Sequence, residues 1–294
     1  MAAFTDSIKQ FQDRACLVVQ GPDFAGAVAT IATLVGEHAS QVIEFEQFTD
    51  PGDPQQLFQR VEFHVDSLAE VMPNIEKDLQ LQLPPLGLTW RLIDRSRPKR
   101  MVVLASKSDH CLVELLWRQN RGELPVTIPM VISNHTDVAA SVERFGIPFH
   151  HVPSQGPDKS LAEADILRLI ESQADFVVLA RYMQILSEDF LERIKVPIIN
   201  IHHSFLPAFI GAAPYRKAKE RGVKMIGATA HYVTADLDEG PIIEQDIARV
   251  AHSHTAEGLQ ERGQYVERAV LSRAVQWHAE DRIVHTGNQT IVFA

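Results

Sequence analysis

Cysteine is scarce: the 294 residues hold two, Cys16 and Cys111, each inside a patterned segment, with no CxxC pair and no metal-type spacing. That excludes a disulfide scaffold and fits reduced thiols in a cytosolic protein. No stretch approaches the ~20 apolar residues of a membrane span. The opening MAAFTDSIKQ lacks the basic start and apolar stretch of a signal peptide, so the expected compartment is the cytoplasm. Positive charge is in deficit, with 28 Lys and Arg against 38 Asp and Glu and a net charge of −10. Nucleic-acid binding relies on neutralising phosphates, so no nucleic-acid partner is expected. The single basic cluster, RSRPKR at 95–100, reads as a solvated linker between two strand-like runs. GxGxxG, P-loop, GxSxG and HExxH patterns are all missing, which removes the support for a nucleotide cofactor, a nucleophile elbow or a zincin. The histidine pairs at 150–151 and 202–203, with His252 and His254, lack ligand spacing, and no metal is expected.

What is present divides into two rhythms, both α/β. Residues 14–95 read strand, helix, strand, strand, helix, strand. RACLVVQG is an apolar run, Phe24, Val28, Ile31 and Val35 share a helical spacing, and LFQRVEFHVD alternates as a strand. Ser67 and Glu70 form an expected capping box for the second helix, which Pro73 should kink or restart. The order βαββαβ is ferredoxin-like. From Lys99 the chain alternates strands (RMVVLAS, VTIPMVIS, PFHHVP, DFVVLA, VPIINIH) with helices, one opened by a second expected capping box, Ser160 to Glu163. Such alternation predicts a mostly parallel, Rossmann-like sheet covered by helices. MIGATAHYV is a further strand, residues 256–279 form a long helix with Leu259, Val266, Val270 and Val275 inward, and a hairpin turns at Gly287-Asn288. The expected domains are residues 10–95 and 101–294, joined by a linker at 96–100.

In open α/β sheets ligands sit beyond the carboxyl ends of the strands. Here those ends carry Ser106, Asn134, Arg181 and the pair Asn200–His202, whose side chains point to one face because they stand two apart. The loop in HYVTADLDEGPIIEQD, 231–246, brings Asp236, Asp238 and Glu239, any of which could return to meet His202. A His–acid pair can stabilise negative charge or move protons, and an Asn amide can donate to a carbonyl oxygen becoming an oxyanion. None of these is a strong nucleophile. The set suits attack on a small carbonyl by an outside nucleophile, either water or an amine.

The stretch NIHHSFLPAFIGAAPYRKAKERGVKMIGATAHYVTADLDEGPIIEQD, 200–246, closely resembles the folate-dependent formyltransferase family, and within it the branch that hydrolyses 10-formyltetrahydrofolate to tetrahydrofolate and formate, a linear amide C–N bond. The spacing Asn-x-His, a late strand His, then Leu-Asp-x-Gly-x-Ile-Ile is long and specific. The βαββαβ start, with QGPDFAGAVATIATLV, is similar to the ACT domain that this branch adds. Carried over by position, the resemblance implies Asn200, His202 and Asp238 as catalytic residues and His231 as their support. It implies a pterin pocket along ARYMQIL, at Tyr182, Met183, Gln184, Ile185 and Leu186. The folate is then the substrate and no cofactor is required. Transformylases hold the phosphate of glycinamide ribonucleotide in a glycine-rich turn after the first strand; the matching ASKSDHCL, 105–112, has no glycine, which favours water over an amine acceptor. Formyl transfer to such an amine is the alternative. The ACT resemblance implies a homo-oligomer, with a tetramer among the arrangements it allows. It also implies an amino-acid effector, although PDFAG carries Phe24 where related hydrolases have a basic residue.

Overall fold

The apolar run that follows Asp13 becomes a central strand of the first sheet. In the computed structural model, which describes residues 11–154, 158–207 and 214–294, β1 (Arg14–Pro22), β2 (Gln41–Asp50), β3 (Gln56–His64) and β4 (Thr89–Asp94) form an antiparallel sheet in the order β2-β3-β1-β4. Helices α1 (Ala27–His38) and α2 (Leu68–Gln82) cover one face, burying Ile31, Leu34, Ile75 and Leu79 against Leu17, Val61 and Phe63. This is the ferredoxin-like arrangement read from the sequence. Residue 10, the expected start of this unit, and residues 208–213 of the 200–246 motif lie outside the described residues.

The second sheet has the order β12-β11-β10-β9-β5-β7-β8, with β6 beside the start of β5. Its strands are β5 (Lys99–Ala105), β6 (Val126–Thr127), β7 (Val131–Ser133), β8 (Phe149–His151), β9 (Phe176–Ala180), β10 (Ile198–His202), β11 (Met225–Tyr232) and β12 (Ile242–Arg249). Strands β5 to β10 pair in parallel, while β11 and β12 run antiparallel. The run VTIPMVIS is two short strands rather than one, because Pro129 has no N–H to continue a ladder. Between and after the strands come α3 (His110–Asn120), α4 (Ala139–Glu143), α5 (Ser160–Ile170), α6 (Glu188–Arg193), α7 (Pro214–Glu220) and α8 (Ala256–Ala279). The expected inward residues of α8, Leu259, Val266, Val270 and Val275, are all buried.

Neither expected capping box forms. Ser67 stands at φ 58 with no side-chain cap, and Asp13 Oδ1 accepts from Leu68 N at 3.1 Å instead. Ser160 lies inside α5, where Asp158 Oδ1 accepts from its backbone N at 2.9 Å. Its expected partner Glu163 turns away to accept from the hydroxyl of Ser187 and, at 2.9 Å, from its backbone N. A partner brought by tertiary folding displaces the local one. Nor does Pro73 restart α2, which runs unbroken through it; it sits in the second turn, where few intrahelical bonds are at stake.

RSRPKR is a solvated linker only in part: Arg97 is exposed, but Arg95 and Lys99 are not. Arg95 is 9% exposed and donates to Ala279 O at 2.8 Å. Lys99 Nζ lies 2.6 Å from Asp281 Oδ1 and 2.8 Å from His278 O. Both cations neutralise the carbonyl end of α8, where orphan acceptors concentrate. The second face of the first sheet is closed by the same region: Cys16, Val18 and Phe58 pack on Val284 and Phe293 around the hairpin β13 (Ile283–Thr286) and β14 (Gln289–Val292). Fully buried Arg60 joins Glu44, Glu46 and Glu62 there, and donates to Glu280 O at 3.1 Å. Cys16 and Cys111 are both free and buried.

Candidate active site

Strand β10 positions the first two residues. Alternation on the strand points Asn200 and His202 to one side at its carboxyl end, and Ile199 and Ile201 into the core on the other. Antiparallel β11 lies alongside, setting His231 opposite Asn200 in the ladder. The third element is the loop from Val233 to Gly240. Gly240 closes it onto β11 so tightly that a Cβ there would meet Tyr232 O at 1.8 Å. The loop thereby folds back over the sheet, with Asp238 in the left-handed region at φ 59, which a short polar side chain tolerates.

The geometry is compact. His202 Nδ1 lies 3.2 Å from Asp238 Oδ2, and His231 Nε2 lies 3.6 Å from Asp238 Oδ1. The 3.2 Å contact from His202 holds the Asp238 carboxyl well below the usual carboxylate range, so it is ionised. Of the three candidate acids in this loop, Asp238 meets the histidines; Asp236 and Glu239 are exposed. His231 Nδ1 lies 2.9 Å from Tyr232 O, and a carbonyl only accepts, so this nitrogen carries a hydrogen. With the ring neutral, Nε2 then accepts from Asn200 Nδ2 at 3.2 Å. That bond uses one hydrogen of the Asn200 amide and fixes its plane, leaving the second hydrogen for a ligand. His202 Nε2 is buried without a partner.

These groups sit at the end of a cavity of about 390 Å³. Tyr182, Met183, Gln184, Ile185 and Leu186 border it. Tyr182 is 7% exposed and packs into the core below, while Met183 and Ile185 are 57% and 61% exposed and form an open apolar lip. The segment is pinned by Ser106, whose hydroxyl accepts from Met183 N at 3.0 Å and donates to Asn134 Oδ1 at 2.7 Å. Two of the polar strand ends thus support a wall and do not face a ligand themselves.

Sequence reading missed a buried polar group beside this cavity. Glu267 on α8 accepts from Tyr215 at 2.6 Å and from His110 at 2.8 Å, with Arg181 Nε at 3.5 Å. Burial would raise its pKa, but the His110 bond, the Arg181 charge and the Tyr215 hydroxyl hold it at about 2. Its position was legible in principle: Gly263, Glu267 and Leu271 share one face of α8 with buried apolar residues. His110, Cys111 and Glu267 place donor atoms within 4.8 Å of one another, yet the Arg181 guanidinium opposes a cation there.

The formyl transferase family model matches residues 99–275. Formyltetrahydrofolate deformylase of Mycobacterium bovis (strain ATCC BAA-935 / AF2122/97) is 49% identical over 278 residues, covering 94% of this chain and 90% of its own. The crystal structure of a formyltetrahydrofolate deformylase from Pseudomonas syringae pv. tomato str. DC3000 superposes with a TM-score of 0.86 at 41% identity, over 99% of this chain and 98% of that one. Glycinamide ribonucleotide transformylase 1 from Symbiobacterium toebii aligns with 67% of this chain and 95% of its own, with a TM-score of 0.63 at 33% identity. The transformylase thus aligns with about two thirds of this chain, whereas the deformylases match nearly end to end. The chain belongs to the formyl transferase family and, within it, to the formyltetrahydrofolate deformylases.

Proposed function

We propose that the protein hydrolyses 10-formyltetrahydrofolate to tetrahydrofolate and formate. The observation that carries this reading is the convergence of Asn200, His202 and Asp238, from β10 and the loop after β11, in a cavity that apolar Met183, Ile185 and Leu186 also line. Such a cavity suits a flat pterin, with its reacting amide delivered to the polar end. The free hydrogen of the Asn200 amide donates to the formyl oxygen and stabilises the oxyanion that forms as water attacks. His202, oriented through Nδ1 by Asp238, uses Nε2 to donate to that oxygen or to pass a proton to the leaving N10. Asp238, ionised and a weak base, orients the water and supports positive charge on His202. His231 acts by fixing the Asn200 amide and flanking Asp238. No cofactor enters these steps.

The ACT-like first unit supports a cytosolic homo-oligomer, whereas Phe24 in place of a basic residue at the first βα turn counts against an amino-acid effector there. Strand β2 supports the assembly: it lies at the edge of the first sheet and leaves Val42, Ile43, Phe45 and Phe48 at least 39% exposed. The test is formate release from 10-formyltetrahydrofolate by the purified protein with chelator and no acceptor, alongside Asp238→Asn. Release abolished by the substitution is expected; turnover only when an amine is supplied would make the protein a transferase.

A further inference from the structure

Arg181 directly follows β9 at φ 61, a conformation that favours glycine. Its side chain turns inward and is 13% exposed. The guanidinium is poorly satisfied there: Nε stands 3.5 Å from Glu267 Oε2 without making a hydrogen bond, and neither Nε nor Nη1 has a partner. Hydrogen bonding therefore does not explain why a long side chain occupies a strained position. Volume does. Glu267 is anchored independently by His110 and Tyr215, as described above, and room for Tyr215 comes from Gly263, where a Cβ would meet its hydroxyl at 2.0 Å. The Tyr215 ring stands 6.1 Å from the His203 ring, which is 5.4 Å from that of His202. A continuous belt of side chains thus runs from Arg181 through Glu267, Tyr215 and His203 to His202. Arg181 and His203 also line the cavity beside Asn200 and His202.

We propose that Arg181 determines which nucleophile reaches the formyl carbon: wedged between the end of β9 and Glu267, it fills the flank of Asn200 and His202, so that water fits there and an amine acceptor does not. This rests on the hydrolysis proposed above. With that flank open, an amine nitrogen would bond to the formyl carbon as the N10–carbon bond breaks. The proton lost by the amine would end on N10, with no change of oxidation state.

The experiment is a partition measurement. Purified full-length protein turns over 10-formyltetrahydrofolate in the presence of glycinamide at high millimolar concentration, and formate and N-formylglycinamide are both quantified. The ratio is read within each turnover and does not depend on the fraction of active protein. The unaltered protein is expected to give formate alone. Arg181→Gly, which relieves the backbone as it removes the wedge, is expected to raise the share of N-formylglycinamide about tenfold or more, the scale of discrimination that pocket sterics supply. Arg181→Met keeps most of the volume without the charge and is expected to partition like the unaltered protein.

Transfer to glycinamide by the unaltered protein would overturn the proposal. So would a folded Arg181→Gly that yields formate alone, or a folded Arg181→Met that loses all turnover, since charge would then be what matters. If thermal unfolding shows Arg181→Gly to be unfolded, Arg181→Ala, which also removes the wedge, is read in its place with the same expected and overturning results. Formate release without amine is measured separately, so failure of the hydrolysis itself is distinguishable.

Discussion

Arg60 and Arg181 both turn inward toward carboxylates, and they are held in different ways. Arg60, fully buried where the first sheet meets the C-terminal hairpin, has both terminal nitrogens against the carboxylates of Glu44, Glu46 and Glu62. Arg181, at the cavity, has one carboxylate at 3.5 Å and two N–H groups without partners. The neighbouring His202 Nε2 is likewise unpartnered. Neither region is fully satisfied, since Arg60 Nε, Arg95 Nε and Asp281 Oδ2 at the junction also lack hydrogen-bond partners. The difference lies in charge: several carboxylates pair with Arg60 at the junction, whereas the open groups of Arg181 and His202 belong to residues that line a cavity.

The sharpest break of this contrast is Asp238→Asn, which removes a carboxylate at the open cluster. Formate release should fall by roughly a thousandfold, the scale for losing a positioned acid–base or electrostatic group, while the unfolding midpoint barely moves. Arg60→Ala should do the reverse. It leaves buried carboxylates uncompensated and should cost about 3–5 kcal/mol in urea unfolding, with turnover per folded molecule retained. A result in which both variants lose activity and stability together would mean that the junction and the cavity are not separable.

Acid should act on the cavity side first. Burial, with the Arg181 charge behind it, lowers the His203 pKa from 6.5 to about 4. Between those values the unfolded chain binds a proton that the native chain does not, so stability falls as pH drops through this window, by on the order of 2 kcal/mol. Glu267, held at about 2 where an ordinary glutamate titrates at 4.5, adds stability that is present above the higher value and is lost as pH falls toward the lower. His203→Gln should flatten the slope of stability between pH 6.5 and 4, measured by denaturant titration at each pH. The smallest effect separates a real cap from an expected one. Ser187→Ala removes the hydroxyl that caps α6 and should cost about 1 kcal/mol, whereas Ser160→Ala should change stability by only a few tenths.

Much of this molecule was legible beforehand because its signals are local or periodic. The βαββαβ order, the parallel alternation after Lys99 and the bounds of α8 follow from spacing of apolar residues. Asn200 and His202 were readable as a pair because strand geometry alone puts them on one face. The choice of Asp238 over Asp236 was not readable from spacing, since it depends on how Gly240 closes the loop onto Tyr232. RSRPKR looked solvated because its partners, the last carbonyls of α8 and Asp281, are about 180 residues away in sequence. The capping boxes failed for a related reason: Glu163 had a second suitor in Ser187 that no local pattern reveals.

By itself, then, the sequence determined the element order, the two sheets and the residue types at the strand ends, because hydrophobic periodicity and chain connectivity act over a few residues at a time. Only the tertiary structure decided which acid meets His202, how His231 turns the Asn200 amide, and that Arg181 folds back onto Glu267 beside the site. Those choices depend on distances between segments far apart in the chain, and burial then turns each close approach of charges into a strong preference for one arrangement.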